Sequence, residues 1–353
     1  MNGVLCREYK EMKLKKLTYR IILGVTVSLF SLTACTSQNE LPALNPEQEK
    51  HGMPIRWNVI PEGIQEGRAL INSTANLQTA CSSGGQAIGI WSAYRIGNDL
   101  IEGILSKDKE DVGLYWQSIQ NNYEWTYGES AYWTDGATYY FNAYFPMEGG
   151  LNSITNTETT ITGNYNTETT QTDVMVAKVV VGADAHGSPV ELPLKHALAT
   201  LQFKFQMEEG STTENVLTSF SLDKTLRTSA NLNYGGGAMT IDNWINKTAS
   251  ANPRIYAQTL NPGLPFSATT AVNPYAGNEN DGHILIIPQS CNEAPTFSCT
   301  IDAHTYENIS LGTKLFEPGK NYIYLIKMKD NILNVTLRIK AWNELDSSYD
   351  IIF

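Results

Sequence analysis

The sequence predicts an all-β protein of two β-sandwich domains in tandem, and three observations predict it. The chain has 353 residues, more than one small core needs and enough for two of about 150 residues each. Short segments of alternating, β-branched or aromatic composition recur along it, separated by clusters of Gly, Pro and Asn. Sustained helical periodicity is scarce, which disfavours an α/β crossover fold.

The leading residues stand apart from the fold. Lys13, Lys15, Lys16 and Arg20 precede an apolar run, 21–32, that ends in Leu32-Thr33-Ala34-Cys35. This is the pattern of a secretory signal closed by a lipobox. The run is about a dozen residues, whereas a helix spanning a bilayer needs roughly 20, so a retained transmembrane anchor is disfavoured. Cys35 is the expected lipid attachment site, whose diacylglycerol and palmitate chains hold the mature amino terminus at the outer membrane. Met12 makes a better start than Met1, because the charged region then abuts the apolar run. Residues 1–34 are therefore read as signal peptide, and 35–53 as a polar, Pro-containing tether. Without residues 1–34 the chain keeps 19 basic against 34 acidic side chains. Such acidity argues against nucleic acid as a partner.

The amino-terminal sandwich is expected over 54–192, with strands at 55–60, 88–94, 139–145 and 174–181. Residues 100–105 suit one or two helical turns. The segment Asn156-Thr157-Glu158-Thr159-Thr160 recurs as Asn166-Thr167-Glu168-Thr169-Thr170 and is expected as an exposed hairpin or loop. Gly187-Ser188-Pro189 punctuates the end of one apolar run and marks the boundary. The carboxy-terminal sandwich follows over 193–353, with strands at 198–205, 216–222, 284–287, 322–328 and 335–342. Its clearest strand places Leu201, Phe203 and Phe205 on one face, where they should line a core.

Chemistry-bearing patterns are few. Beyond Cys35, the folded part carries Cys81, Cys291 and Cys299, an odd number that gives no disulfide framework. Cys291 and Cys299 flank the turn-like 292–295 and are read either as a bridge across a hairpin, oxidised outside the cytoplasm, or as two small buried thiols. The five histidines lack metal-ligand spacing, and His196 is expected to make a structural hydrogen bond. The Asn278–Gly282 stretch lacks the alternation of a calcium loop, and the Gly-rich stretches at 82–85 and 235–237 precede no helix. Trp116, Trp125, Tyr127, Tyr132 and Trp133 cluster as core aromatics or, if exposed, as a sugar-stacking surface. No nucleophile elbow is present. Neither an enzyme nor a bound metal or cofactor is expected.

Several pieces together resemble one family. They are the lipobox, then Gly67-Arg68-Ala69 ahead of Ala87-Ile88-Gly89-Ile90-Trp91, then residues 139–146, then Leu194-Lys195-His196-Ala197-Leu198, then Pro318-Gly319-Lys320-Asn321-Tyr322 and the closing Ile339-Lys340-Ala341-Trp342. In this order they resemble the fimbrillin family of the Bacteroidales, the subunits of protease-assembled type V pili. The resemblance implies two tandem transthyretin-like β-sandwich domains, an exported lipoprotein at the cell surface and a role in adhesion. It also implies partners: other pilus subunits, an Arg-specific protease, and a host or microbial receptor. The protease would cut between Arg68 and Ala69, within a loop-like stretch that a protease can enter, and release residues 55–60. Arg56, inside that strand, is a poorer site.

The vacated groove would take a strand from another subunit. Tyr349, Ile351 and Phe353 alternate in the tail and form a donor-strand candidate. At roughly 1.5–3 kcal/mol per buried apolar side chain, three such anchors give about 5–9 kcal/mol before costs. The alternative is an ordinary last strand that stays in its own domain. The chain ends eleven residues after Trp342, which keeps a capping, tip or anchor rank open. The second reading of the whole chain is a glycan-binding surface lipoprotein on the same scaffold.

Overall fold

The computed structural model describes residues 52–62, 73–82, 84–106, 108, 110–222, 224–251, 256–278, 280 and 282–342, together with the backbone of 350–352. Its first sheet runs β1 (Trp57–Pro61), β10 (Val190–His196), β9 (Met175–Val181), β6 (Thr138–Phe145), β2 (Ile88–Ile96), β4 (Val112–Ile119) and β5 (Asn122–Thr126), with β3 (Asp99–Glu102) paired to β2. β1 is parallel to β10, and the other pairs are antiparallel. The sheet curls until the chain before β1 meets the chain after β5. There Ile55 N donates to Ala131 O at 2.9 Å and Trp133 N donates to Met53 O at 3.0 Å.

Alternation decides what fills the curl. Tyr139, Phe141, Ala143 and Phe145 of β6 point inward with Ile88 and Ile90 of β2 and Leu192 of β10. A short helix, α1 (Thr74–Ala80), adds Leu77, and the Ser73 side chain caps it by accepting from Asn76 N. In β2, residues 88–93 are buried without alternation, because the outer face of the sheet is covered as well.

That cover is a second sheet, in the order β14 (Trp244–Thr248), β13 (Ser229–Tyr234), β8 (Ile161–Asn166) and β7 (Asn152–Asn156). Strands from either side of residue 193 share it, since β8 pairs with β13. Ile161, Tyr165, Leu232 and Trp244 pack with Tyr144 and Val176 from the first sheet. Leu285, Ile287 and Trp342 join the same cluster from the later part of the chain.

The last core lies between two further sheets. One runs β16 (His283–Ile286), β11 (Ala199–Met207), β21 (Lys320–Lys329), β22 (Ile332–Ala341) and β23 (Asp350–Ile352); the other runs β15 (Ala257–Phe266), β12 (Asn215–Leu222), β18 (Thr296–Ile301) and β19 (His304–Ser310). A small pair, β17 (Gln289–Ser290) with β20 (Leu315–Phe316), flanks them. Leu201, Phe203 and Phe205 do share one face and meet Phe220, Phe297 and Tyr324.

One local expectation changes, and another, the hairpin or loop of the duplicated segments, is met. Residues 99–102 form a strand, not helical turns, because Gly97 at φ 58° reverses the chain and lays Asp99–Glu102 back along β2. The duplicated Asn-Thr-Glu-Thr-Thr segments are turns at the two ends of β8. Thr157 Oγ1 accepts from Thr159 N and Thr160 N, and Asn166 Oδ1 accepts from Glu168 N. Neither is idle surface: Glu158 pairs with Arg95, and Thr167 is buried, donating to Thr228 O.

Candidate functional site

The leading strand has a particular seat. On one side β1 runs parallel to β10, with Trp57 opposite Val190, Val59 opposite Leu192 and Pro61 opposite Leu194. Val190 N donates to Arg56 O and Glu62 N to Leu194 O, both at 2.7 Å. On the other side its approach is held by the irregular segment 131–133, where Pro54 bridges Tyr132. β1 thus fills a slot between two parts of the chain that do not pair with each other.

Side chains of the seat alternate. Arg56 and Asn58 face solvent, whereas Ile55, Trp57 and Val59 enter the core at 7, 8 and 1 % exposure. The Trp57 ring meets Phe141 edge-on, with centroids 5.1 Å apart at 80°. Phe141 in turn meets Trp133, and Trp133 stacks on His186 at 4.5 Å and 15°. His186 closes the turn over Ala183–Ala185. At Gly187 the φ of 91° is a left-handed backbone conformation that favours glycine, and the turn lies close against the Met53 side chain. Lys195 and Glu62 pair at 2.9 Å on the exposed rim, a contact of little energetic weight. Three apolar side chains buried at roughly 1.5–3 kcal/mol each hold β1 more firmly than its charges do.

Of the residues singled out from sequence, Cys35, Arg68, Ala69, Tyr349 and Phe353 lie outside the described residues. Ile351 belongs to β23, whose backbone pairs antiparallel with β22 so that Ile351 stands opposite Leu337. Cys291 and Cys299 are thiols and not a bridge. They do not oppose each other across one hairpin: Cys299 lies in β18 opposite Phe220 and Tyr306, whereas Cys291 follows β17 and its N–H donates to Lys314 O. Burial pushes the Cys299 and Cys81 thiols up to about 12, which leaves both inert as nucleophiles.

The aromatic cluster is divided. Trp125 and Trp133 are core residues, Trp116 and Tyr127 are half-buried, and Tyr132 is 38 % exposed. His196 is buried with Nδ1 3.2 Å from Asp173 Oδ1, and its ring stacks on Trp342 at 4.5 Å. It is a structural residue that ties the first sheet to the end of β22. Among the described residues no group of three or more His, Cys, Asp or Glu could hold a metal, and no helix is long and apolar enough to cross a membrane.

Sequence reasoning found the strand at 55–60 but missed most of its surroundings. The parallel partner β10 is remote in sequence, and residues 131–133 carry no periodic signal. His186 and Gly187 act through a turn that only the fold brings beside Met53.

A family model described as fimbrillin-like matches residues 75–342. No curated protein matches the sequence. Among solved structures, the chain is similar to a fimbrial protein from Bacteroides vulgatus, at 15 % identity over 82 % of this chain and 99 % of that one, with a TM-score of 0.55. It is also similar to a candidate cell adhesion protein from Bacteroides uniformis, at 14 % identity over 82 % and 98 % of the two chains, with a TM-score of 0.47. At 15 % identity the first likeness bears on the fold alone.

Proposed function

Because this chain belongs to the fimbrillin-like family, we propose that it is a structural subunit of a surface fimbrium that joins its neighbours by exchanging the leading strand for one of theirs. It is a cell-surface protein of a structural class, not an enzyme. The observation that carries the exchange is the seat of β1, which has an apolar ladder on one side, an irregular rim on the other, and Arg68 seven residues after Pro61.

In this reading, export ends with a lipid on Cys35, and the subunit reaches the outer membrane tethered through residues 35–53. An Arg-specific protease then cuts between Arg68 and Ala69. The peptide that carries Ile55, Trp57 and Val59 leaves, and the outer edge of β10 is bared over an apolar floor. A bared edge of this kind pairs readily with another strand. A strand from a second subunit restores the ladder, and the tail with Tyr349, Ile351 and Phe353 is the segment this chain would offer in return. In this reading residues 54–192 supply the acceptor seat and 193–353 carry the tail. The assembled fibre serves adhesion to a host or microbial receptor.

The test is digestion of the purified full-length chain with an Arg-specific protease. The expected product begins at Ala69 and forms ladders that persist on a denaturing gel and vanish on heating. Arg68→Gln should abolish both. A product that starts at Ala69 but stays monomeric at high concentration sinks the polymerisation step, and cleavage elsewhere sinks the assignment of the site.

A further inference from the structure

The seat of β1 is not a uniform greasy trough, and the difference between its sockets states what may enter it. We infer that the slot selects an extended strand of another subunit carrying an aromatic ring flanked, two residues to either side, by aliphatic side chains; this rests on the exchange proposed above and specifies the partner it takes.

The middle socket has an aromatic wall. Trp57 meets the edge of Phe141, which stacks near-parallel with Tyr139 at 5.9 Å and meets Trp133 at 81°. A ring placed here gains edge-to-face geometry that an aliphatic side chain cannot reproduce. The socket of Val59 is different. Val59 is 1 % exposed and lies opposite Leu192, itself fully buried, so a ring there would overpack the floor. The socket of Ile55 lies where the chain is pinned by the Ile55 N–H to Ala131 O bond, between the 131–133 rim and the core. Arg56 and Asn58 point to solvent and leave the intervening positions of the incoming strand unconstrained.

This pattern also ranks the candidates. In the tail of this chain the order is inverted, aromatic Tyr349, aliphatic Ile351, aromatic Phe353. Whichever way such a strand runs, setting Tyr349 in the Trp57 socket puts Ile351 in one neighbouring socket and Ser347, too small and polar to fill it, in the other. A strand from a subunit of different sequence can fill all three.

The experiment uses the full-length chain cut at Arg68 and freed of its leading peptide, probed with labelled synthetic peptides by fluorescence anisotropy. The native 52–62 peptide should rebind. A peptide of identical composition with Ile55 and Trp57 exchanged should bind at least about tenfold more weakly, because a ring is lost from the aromatic socket. A peptide of residues 343–353 should also bind more weakly than the native one. If the exchanged peptide binds within about twofold of the native one, the slot reads apolar area alone and the selectivity is wrong. A tail peptide as tight as the native one overturns it equally. Failure of the native peptide to rebind strikes the exchange itself, and the inference with it. A second measurement avoids the trimmed chain: in uncut protein, the I55W/W57I exchange should speed amide exchange in β1 at least about tenfold while β21 and β22 keep wild-type rates. Unchanged protection in β1 overturns the inference.

Discussion

β1 and β11 are both parallel partners of a later strand, yet the two are held differently. β11 pairs with β21 over eight residues, Thr200 to Met207, and its other edge is taken by β16. β1 pairs with β10 over five residues, and among the described residues its other side meets the short bridge to residues 131–133. Their side chains are almost equally hidden: Phe203 is fully buried, and Trp57 is 8 % exposed. Burial alone therefore does not decide whether a strand can be exchanged. What differs is how many neighbours must lose their hydrogen bonds when the strand departs.

The largest effect should come from the strand paired on both edges. Phe203 meets Phe220 at 4.6 Å and stacks on Tyr324 at 5.0 Å. Phe203→Ala should cost about 3–5 kcal/mol of global stability, as a buried ring replaced by a cavity does. The measurement is the urea midpoint followed by fluorescence. Next comes Trp57→Ala, expected to weaken the leading segment by about 3 kcal/mol. Here the loss should stay local, with faster amide exchange in β1 and little change in β11 or β21. A Trp57→Ala protein whose whole unfolding transition moves as far as that of Phe203→Ala would erase the distinction between the two strands.

How much of this was legible depends on which interactions are local. The face formed by Leu201, Phe203 and Phe205 could be read from alternation because the period of a strand is a property of the strand itself. The all-β class followed from the same periodicity. By contrast, β4 and β5 hid in a stretch rich in Trp and Tyr, where no clean alternation separates core from surface. The helix α1 is only seven residues and shows too little of a period to be seen. The second sheet joins β8 to β13 across more than sixty residues, a pairing that no short window contains. For the site, the strand at 55–60 was visible, whereas the bridge at 131–133 and the turn carrying His186 are products of the curl of the sheet. The Cys291–Cys299 bridge was misjudged for the same reason: spacing placed the two across a turn, but Cys299 lies within β18 while Cys291 lies in the irregular chain after β17.

A smaller effect sharpens the view of what supports the slot from behind. α1 supplies Leu77 to the core that β1 covers, and Ser73 Oγ accepts from Asn76 N at 3.1 Å. Ser73→Ala should lower stability by about 1 kcal/mol through the lost cap. If the helix belongs to the part that rearranges with β1, the same substitution should also hasten amide exchange in β1. An effect confined to α1 would show that the helix is an independent support.

The smallest expected effect lies on the other face of the first sheet and depends on pH. Asp111 accepts from Tyr144 OH at 2.8 Å and Asn156 Nδ2 at 3.0 Å. Burial raises its carboxyl above the usual range, against the opposing pull of those two hydrogen bonds. The folded protein therefore holds that proton more tightly than the unfolded chain does. Its contribution to stability is present at low pH and is lost as pH rises from the ordinary carboxylate value through the raised one. Asp111→Asn, which keeps an acceptor for Tyr144, should remove that slope. Melting temperatures of the two proteins should consequently change in the variant's favour as pH climbs through the carboxylate range. A constant difference would mean that the two donors already balance the burial. Because neither Tyr144 nor Asn156 touches the seat of β1, trimming at Arg68 should leave this pH dependence unaltered; if it changes, the two faces of the sheet are coupled and strand exchange is felt across it.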